Sequence, residues 1–365
     1  MHSLTRTLSL SLTIVTVLAS LANASITLSY DTITIPRKPV VFYHGMGDSA
    51  HSEGMKELFA SITDIDPNIF IHSIYLASSE AEDQRAGFFG NVNKQIEVVC
   101  DQLKAIPELE GGFNAVGFSQ GGQFLRAYVQ RCNDPPVHNL VTVGSQHGGV
   151  SDIPGCVNPD DASCKLMRTI ARSGVYSGYV RDHIVQAQYF KDPKKLDTYL
   201  QRNIFLPDIN NELEVKNEDY KERLMSLNKL VMFMFMNDVT VKPKETAWFG
   251  FQDENGDVID LEEQDQYKED WLGLKAMDQA GKLEFEVMEG EHMQFSLEEF
   301  TDKITIPYLL GYQELQDAQS ERLEELQEAS PKKMKSSTSD LEGMSVQTEY
   351  DDAFEFPTLD GQAVL

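Results

Sequence analysis

The chain has 365 residues, with 58 acidic against 31 basic side chains and a formal net charge of −27. A phosphate backbone would repel so acidic a surface, which excludes nucleic acid as a partner. Hydrophobic residues make up 41%, enough for the core of one large domain that can also carry an insertion and a tail.

Taken in order, residues 1–24 read as a signal peptide. Arg6 supplies a short positive region, Leu8 to Leu21 carries no charge, and Ala22-Asn23-Ala24 is a small-residue cleavage site. No later stretch is long and apolar enough to cross a bilayer. A domain is expected over residues 25–312. Its first buried strand is Val40–Tyr43, which runs into His44-Gly45-Met46-Gly47-Asp48, and Ile69–Tyr75 is a further strand candidate. Gly90–Ile106 carries apolar residues at Val92, Ile96, Val99, Cys100 and Leu103, the spacing of a helix. Phe113–Phe118 predicts a strand and Gly121–Arg131 a helix directly after it. Leu140–Gly144, Leu230–Met236 and Leu283–Met288 are also short, apolar, strand-like runs. Strands alternating with helices predict an α/β fold: a mostly parallel sheet covered on both faces.

Two stretches depart from that alternation. From about 148 to 228 the strand signal fades and helical runs such as Asp182–Phe190 and Lys221–Leu227 take over. This predicts a helical insertion lying over the sheet, suited to a substrate lid. Residues 313–365 carry 13 acidic and 4 basic side chains; they read as a polar helix followed by a disordered acidic tail. Cys100, Cys132, Cys156 and Cys164 make an even count in a secretory chain, which suggests two disulfides. Cys156 and Cys164 are close together in a Pro/Gly/Asn/Asp loop, which favours a local bridge and leaves Cys100 for Cys132. With no C-x-x-C, the spacings make no zinc site.

The chemistry concentrates at Gly117-Phe118-Ser119-Gln120-Gly121, a G-x-S-x-G pattern between a predicted strand and a predicted helix. A serine on so sharp a turn is exposed as a nucleophile, and small flanking residues let the turn pack. This is the nucleophile elbow of the α/β-hydrolase fold. In that fold the amide after the nucleophile and an amide from the loop after an early strand stabilise the oxyanion. Here those amides are Gln120 and Met46; His44 is read as a structural hydrogen-bonding residue. The chain order Ser, acid, His selects Asp238, just past Leu230–Met236, and His292, just past Leu283–Met288. Weaker rivals are His147 for the base and Asp257 or Asp260 for the acid. His138 falls at the wrong end of the sheet and His183 mid-helix.

Several segments resemble the lysosomal palmitoyl-protein thioesterases, roughly from Lys38 to Gly311. They include Val40–Asp48, Asn114 to Ala127, Gly144-Ser145-Gln146-His147-Gly148-Gly149-Val150, Leu206-Pro207-Asp208-Ile209-Asn210, Trp271 to Asp278 and Glu291-His292. The resemblance implies a Ser119/Asp238/His292 triad, oxyanion donors at Met46 and Gln120, and disulfides Cys100–Cys132 and Cys156–Cys164. It implies hydrolysis of long acyl thioesters on the cysteines of proteins or peptides, with no cofactor, no metal, a monomeric enzyme, and a lysosomal, vacuolar or extracellular destination. Animal members carry an adjacent cysteine pair where Ser49-Ala50 stand here, and the one N-x-S/T sequon is Asn23-Ala24-Ser25. The same residues would also suit a lipase or carboxylesterase acting on oxygen esters, or an acyl-chain binder without activity. The acyl groove is expected along Val239–Val241 and the aromatics of the insertion.

Overall fold

A computed structural model describes residues 37–151 and 174–311. The segment read as a signal peptide, Cys156, Cys164 and the acidic residues 313–365 lie outside the described residues. Six strands form one sheet in the order β2-β1-β3-β4-β5-β8. They are β1 (Val40–Tyr43), β2 (Ile71–Ser73), β3 (Phe113–Phe118), β4 (Val137–Val143), β5 (Lys229–Phe235) and β8 (Leu283–Met288). Every neighbouring pair is parallel; Val40 lies opposite Asn114 and Leu230 opposite Leu283. A separate antiparallel hairpin joins β6 (Phe251–Gln252) and β7 (Val258–Ile259).

The two faces of the sheet bury different partners, because alternate residues of a strand point to opposite sides. Val40 and Phe42 face one way and pack with Met55, Leu58 and Ile62 of α1 (Glu53–Ile65), and with Phe300 and Ile304 near the end of the domain. Val41 and Tyr43 face the other way, toward Ile96, Val99 and Leu103 of α3 (Val92–Lys104) and Phe124, Leu125 and Tyr128 of α4 (Gln120–Arg131). Burial on both faces explains why these strands read as unbroken apolar runs and not as alternating ones. Ser52, Ser79 and Asn91 cap α1, α2 (Glu80–Ala86) and α3, each side chain accepting a backbone N–H of the first turn. The Cys100–Cys132 disulfide joins α3 to the end of α4, with Cα atoms 6.1 Å apart.

Between β4 and β5 the described residues form short helices: α5 (Gly178–His183), α6 (Leu196–Arg202), α7 (Leu206–Ile209) and α8 (Glu218–Met225). The run expected at Asp182–Phe190 is split, because α5 stops at His183 and a 3-10 turn follows at Val185–Gln188. After β8, Leu297–Phe300 leads into a π-helix over Thr301–Leu309 that contains Pro307. A sheet of this order places the carboxyl ends of β1, β3, β4, β5 and β8 along one edge, and the loops that leave those ends carry the candidate residues.

Candidate active site

Ser119 stands between β3 and α4 with φ 49° and ψ −121°, a conformation that costs an ordinary residue on the order of 1–3 kcal/mol. Packing enforces it. β3 is buried throughout, and the Ser119 amide donates to Val143 O at 2.8 Å. A Cβ on Gly117 would collide with Gly122, and one on Gly121 with the carbonyl oxygens of Tyr43 and His44. Only residues without a side chain let the elbow close this tightly. The turn lifts the Ser119 side chain out of the sheet at the mouth of a cavity.

His292 meets that side chain. Its Nε2 lies 3.0 Å from Ser119 Oγ, and its Nδ1 lies 2.6 Å from Asp238 Oδ2. An ionised carboxylate only accepts, so Nδ1 carries the hydrogen and Nε2 offers its lone pair to the serine hydroxyl. Asp238 is held in turn: its Oδ1 accepts the amides of Thr240 at 2.8 Å and Val241 at 2.9 Å. That leaves Oδ2 for the imidazole. The loops after β5 and β8 are tied together by Asn237, whose amide donates to Gly290 O at 3.2 Å and whose side chain donates to Glu289 O at 2.7 Å. Gln294 Oε1 accepts the Glu291 amide at 3.0 Å, so the turn that carries His292 is closed on itself. The Asp238 and His292 side chains keep only 3% and 12% of their surface, which shields both hydrogen bonds from water.

The other titratable candidates are placed elsewhere. His147 is buried against Phe249, ring centroids 4.8 Å apart. Its Nδ1 accepts from Arg126 Nε at 3.1 Å, which fixes the hydrogen on Nε2, 3.1 Å from Thr142 Oγ1. Burial, and secondarily the Arg126 charge, push the His147 imidazole well below its ordinary range. It is a neutral core residue with both nitrogens engaged. His183 is exposed at the end of α5 and stacks on Tyr179. His138 lies inside β4. Asp257 is in the β6–β7 turn and Asp260 precedes the next 3-10 turn. Nothing in the sequence marked Arg126, which is buried and donates to Ile209 O at 2.9 Å and Asn210 Oδ1 at 2.7 Å. No charge pattern signals a guanidinium buried in the middle of a helix.

The cavity beside Ser119 holds about 450 Å³. Met46, Met55, Leu58, Phe118 and Phe295 give it apolar walls, Gln146, Gln186 and Tyr189 a polar one. Val241, Tyr189 and Phe190 line it, as expected of the groove, but Val239 is 65% exposed and is not among its lining residues. The loop after β1 crosses directly over the nucleophile: a Cβ on Gly45 would stand 3.3 Å from Ser119 Cβ. Gln120, the first residue of α4, has a buried side chain whose Nε2 donates to Gly87 O at 3.1 Å and whose Oε1 accepts from Tyr189 OH at 3.3 Å. No group of His, Cys, Asp and Glu among the described residues is arranged to hold a metal ion.

A family model described as palmitoyl protein thioesterase matches residues 39–292 of the chain. "Palmitoyl-protein thioesterase 1" of Caenorhabditis elegans is 41% identical over 279 residues, spanning 74% of this chain and 92% of that protein. "Palmitoyl-protein thioesterase 3" of Dictyostelium discoideum is 37% identical over 278 residues, with 74% and 92% covered. "Lysosomal thioesterase PPT2 homolog" of Drosophila melanogaster is 29% identical over 266 residues, with 71% and 87% covered.

Proposed function

The chain belongs to the palmitoyl protein thioesterase family, and from that premise we propose that it hydrolyses long-chain acyl thioesters on the cysteines of S-acylated proteins, with Ser119 as nucleophile. The observation that carries the reading is the bridge made by His292, which touches Ser119 Oγ at 3.0 Å and Asp238 Oδ2 at 2.6 Å at once.

His292 Nε2 takes the hydroxyl proton as Ser119 Oγ attacks the thioester carbonyl carbon. Asp238 stabilises the imidazolium and keeps its ring in orientation. Negative charge collects on the carbonyl oxygen, where the amides of Met46 and Gln120 receive it. Gln120 N–H sits at the start of a 12-residue helix, so the helix dipole adds to the same stabilisation. The carbon–sulfur bond breaks, cysteine leaves as its thiol with the proton held by His292, and the acyl group stays on Ser119. Water, deprotonated by His292, attacks the acyl-enzyme and releases the fatty acid and the serine hydroxyl. Each acyl methylene buried against the apolar walls contributes about 0.8 kcal/mol, so the chain and not the peptide dominates binding. All three side chains come from one polypeptide. Entry to the secretory pathway and a lysosomal or vacuolar destination fit the relatives named lysosomal and the leader read from residues 1–24. No described helix is long and apolar enough to cross a membrane.

The test is turnover of an S-palmitoyl peptide and of the matched oxygen ester by the wild type and by Ser119→Ala. We expect thioester turnover to fall by at least ~10⁴-fold in the variant. A variant that keeps most of its activity, or a wild type that prefers the oxygen ester, would overturn the reading.

A further inference from the structure

Both proposed oxyanion donors are tied to one short helix that the sequence did not mark. Asp83 lies in the middle of α2 and is buried. Its Oδ2 accepts Ser49 Oγ at 2.8 Å and the Ala50 amide at 3.0 Å, and it stands 3.2 Å from His44 Nε2. Its Oδ1 accepts the Leu76 amide at 2.7 Å. His44, Ser49 and Ala50 bracket Met46 on both sides within the loop after β1. His44 closes the near end as well, its Nδ1 lying 2.9 Å from Gly45 O. At the other end of the same helix, the Gly87 carbonyl accepts the side chains of Gln120 at 3.1 Å and Gln186 at 2.9 Å. One carboxylate and one carbonyl, four residues apart, therefore hold the two segments that carry the Met46 and Gln120 amides.

We propose that Asp83 is a positioning residue for the acyl-transfer reaction: through His44, Ser49 and Ala50 it fixes the Met46 amide against Ser119, while the end of its own helix registers Gln120. This rests on the thioesterase reading, and it adds the device that holds the oxyanion site ready before substrate arrives. Donors that need no rearrangement are the ones that lower a barrier most. The loop His44-Gly45-Met46-Gly47-Asp48 has one long backbone turn bond of its own, Asp48 N–H to Gly45 O at 3.4 Å, and Gly47 has φ 82°, so most of what fixes its shape comes from outside. Ser49, buried beside Asp83, supplies one of the contacts that impose it. Burial alone would raise the Asp83 carboxyl, but the close approach of His44 and the hydrogen bonds from the Leu76 amide and Ser49 outweigh it and hold the group at about 2. The contacts that fix the loop thus also favour the charged form of the anchor.

The experiment compares wild type, Asp83→Asn and, as a milder break of the same anchor, Ser49→Ala. Each is checked for folding by near-UV circular dichroism. Turnover of an S-palmitoyl peptide is then measured together with binding of a long-chain trifluoromethyl ketone, which adds to a serine hydroxyl as a tetrahedral oxyanion. Loosening an oxyanion donor predicts that kcat falls by about 10²-fold in Asp83→Asn and several-fold in Ser49→Ala, with KM little changed. Ketone affinity should fall in step with kcat/KM. Folded Asp83→Asn with kcat within about 3-fold of wild type, or with unchanged ketone affinity, would overturn the proposal. So would a Ser49→Ala protein indistinguishable from wild type, should Asp83→Asn not fold. A wild type inert to both peptide and ketone would instead bring down the thioesterase reading itself.

Discussion

On the Ser119 side of the cleft every residue of α4 from Gln120 to Gln130 is buried, and β3 is buried from end to end. On the His292 side, β8 is buried only at Leu283 and Met288, and the loop beyond it is held by a few backbone and side-chain hydrogen bonds. The serine is placed by exclusion: neighbouring backbone leaves its turn no other shape. The base is placed more by attraction, through hydrogen bonds that contribute about 1 kcal/mol each, although Gly290 beside it is also packed against the Gln294 carbonyl. The difference predicts that damage on the first side shows as loss of fold and on the second as loss of chemistry.

Asp238→Asn tests the attractive side and should give the largest effect. An amide in place of Oδ2 selects the wrong imidazole tautomer, so kcat should drop by about 10⁴-fold while thermal unfolding stays near that of wild type. A parallel loss of stability would erase the distinction between the two sides. Gly121→Ala tests the excluding side. Its new Cβ meets the Tyr43 and His44 carbonyl oxygens, backbone atoms at the end of β1 and just past it that cannot swing aside as a side chain would. A cost of about 3 kcal/mol in urea unfolding is expected, with lost activity following lost fold. An alanine protein of normal stability and low kcat would break the comparison.

The third prediction lies between the two sides, at His147, and is the smallest. Its pKa is depressed in the folded protein by burial, so below about 6.5 the unfolded chain takes up a proton that the folded one refuses. Its contribution to stability is therefore complete above that pH and is lost as the pH falls. Wild type should lose melting temperature between pH 7 and pH 5, and His147→Gln, which has no proton to take up, should lose less. Equal slopes would mean that His147 does not titrate as its surroundings require.

The excluding side was also the side most legible in the sequence. Gly117, Ser119 and Gly121 announce the elbow because a steric demand leaves a fixed spacing, and the strands β1, β3 and β8 were read with the bounds the structure shows. β4 and β5 begin earlier than expected, at Val137 and Lys229, because their first residues include polar ones that join the ladder without an apolar signal. Asp238 and His292 could be read from chain order and from their places just past strands. Asp83 could not: α2 is seven residues long, with no apolar stripe, and the partners of its carboxylate lie in other segments. Arg126 was missed for the same reason, since long-range polar contacts leave no periodic trace, and the β6–β7 hairpin because each of its strands is only two residues long. The groove was half legible, Val241 reaching the cavity while Val239 faces water.

The 173 residues that separate Ser119 from His292 have a consequence during synthesis. The elbow emerges from the ribosome long before its base, and β8 must pair along the outer edge of β5 before His292 comes into reach. A chain that has folded through β4 already carries the hydroxyl but has nothing to ionise it. Under the proposed mechanism, hydrolytic competence therefore arrives last, as a report that the far edge of the sheet has docked.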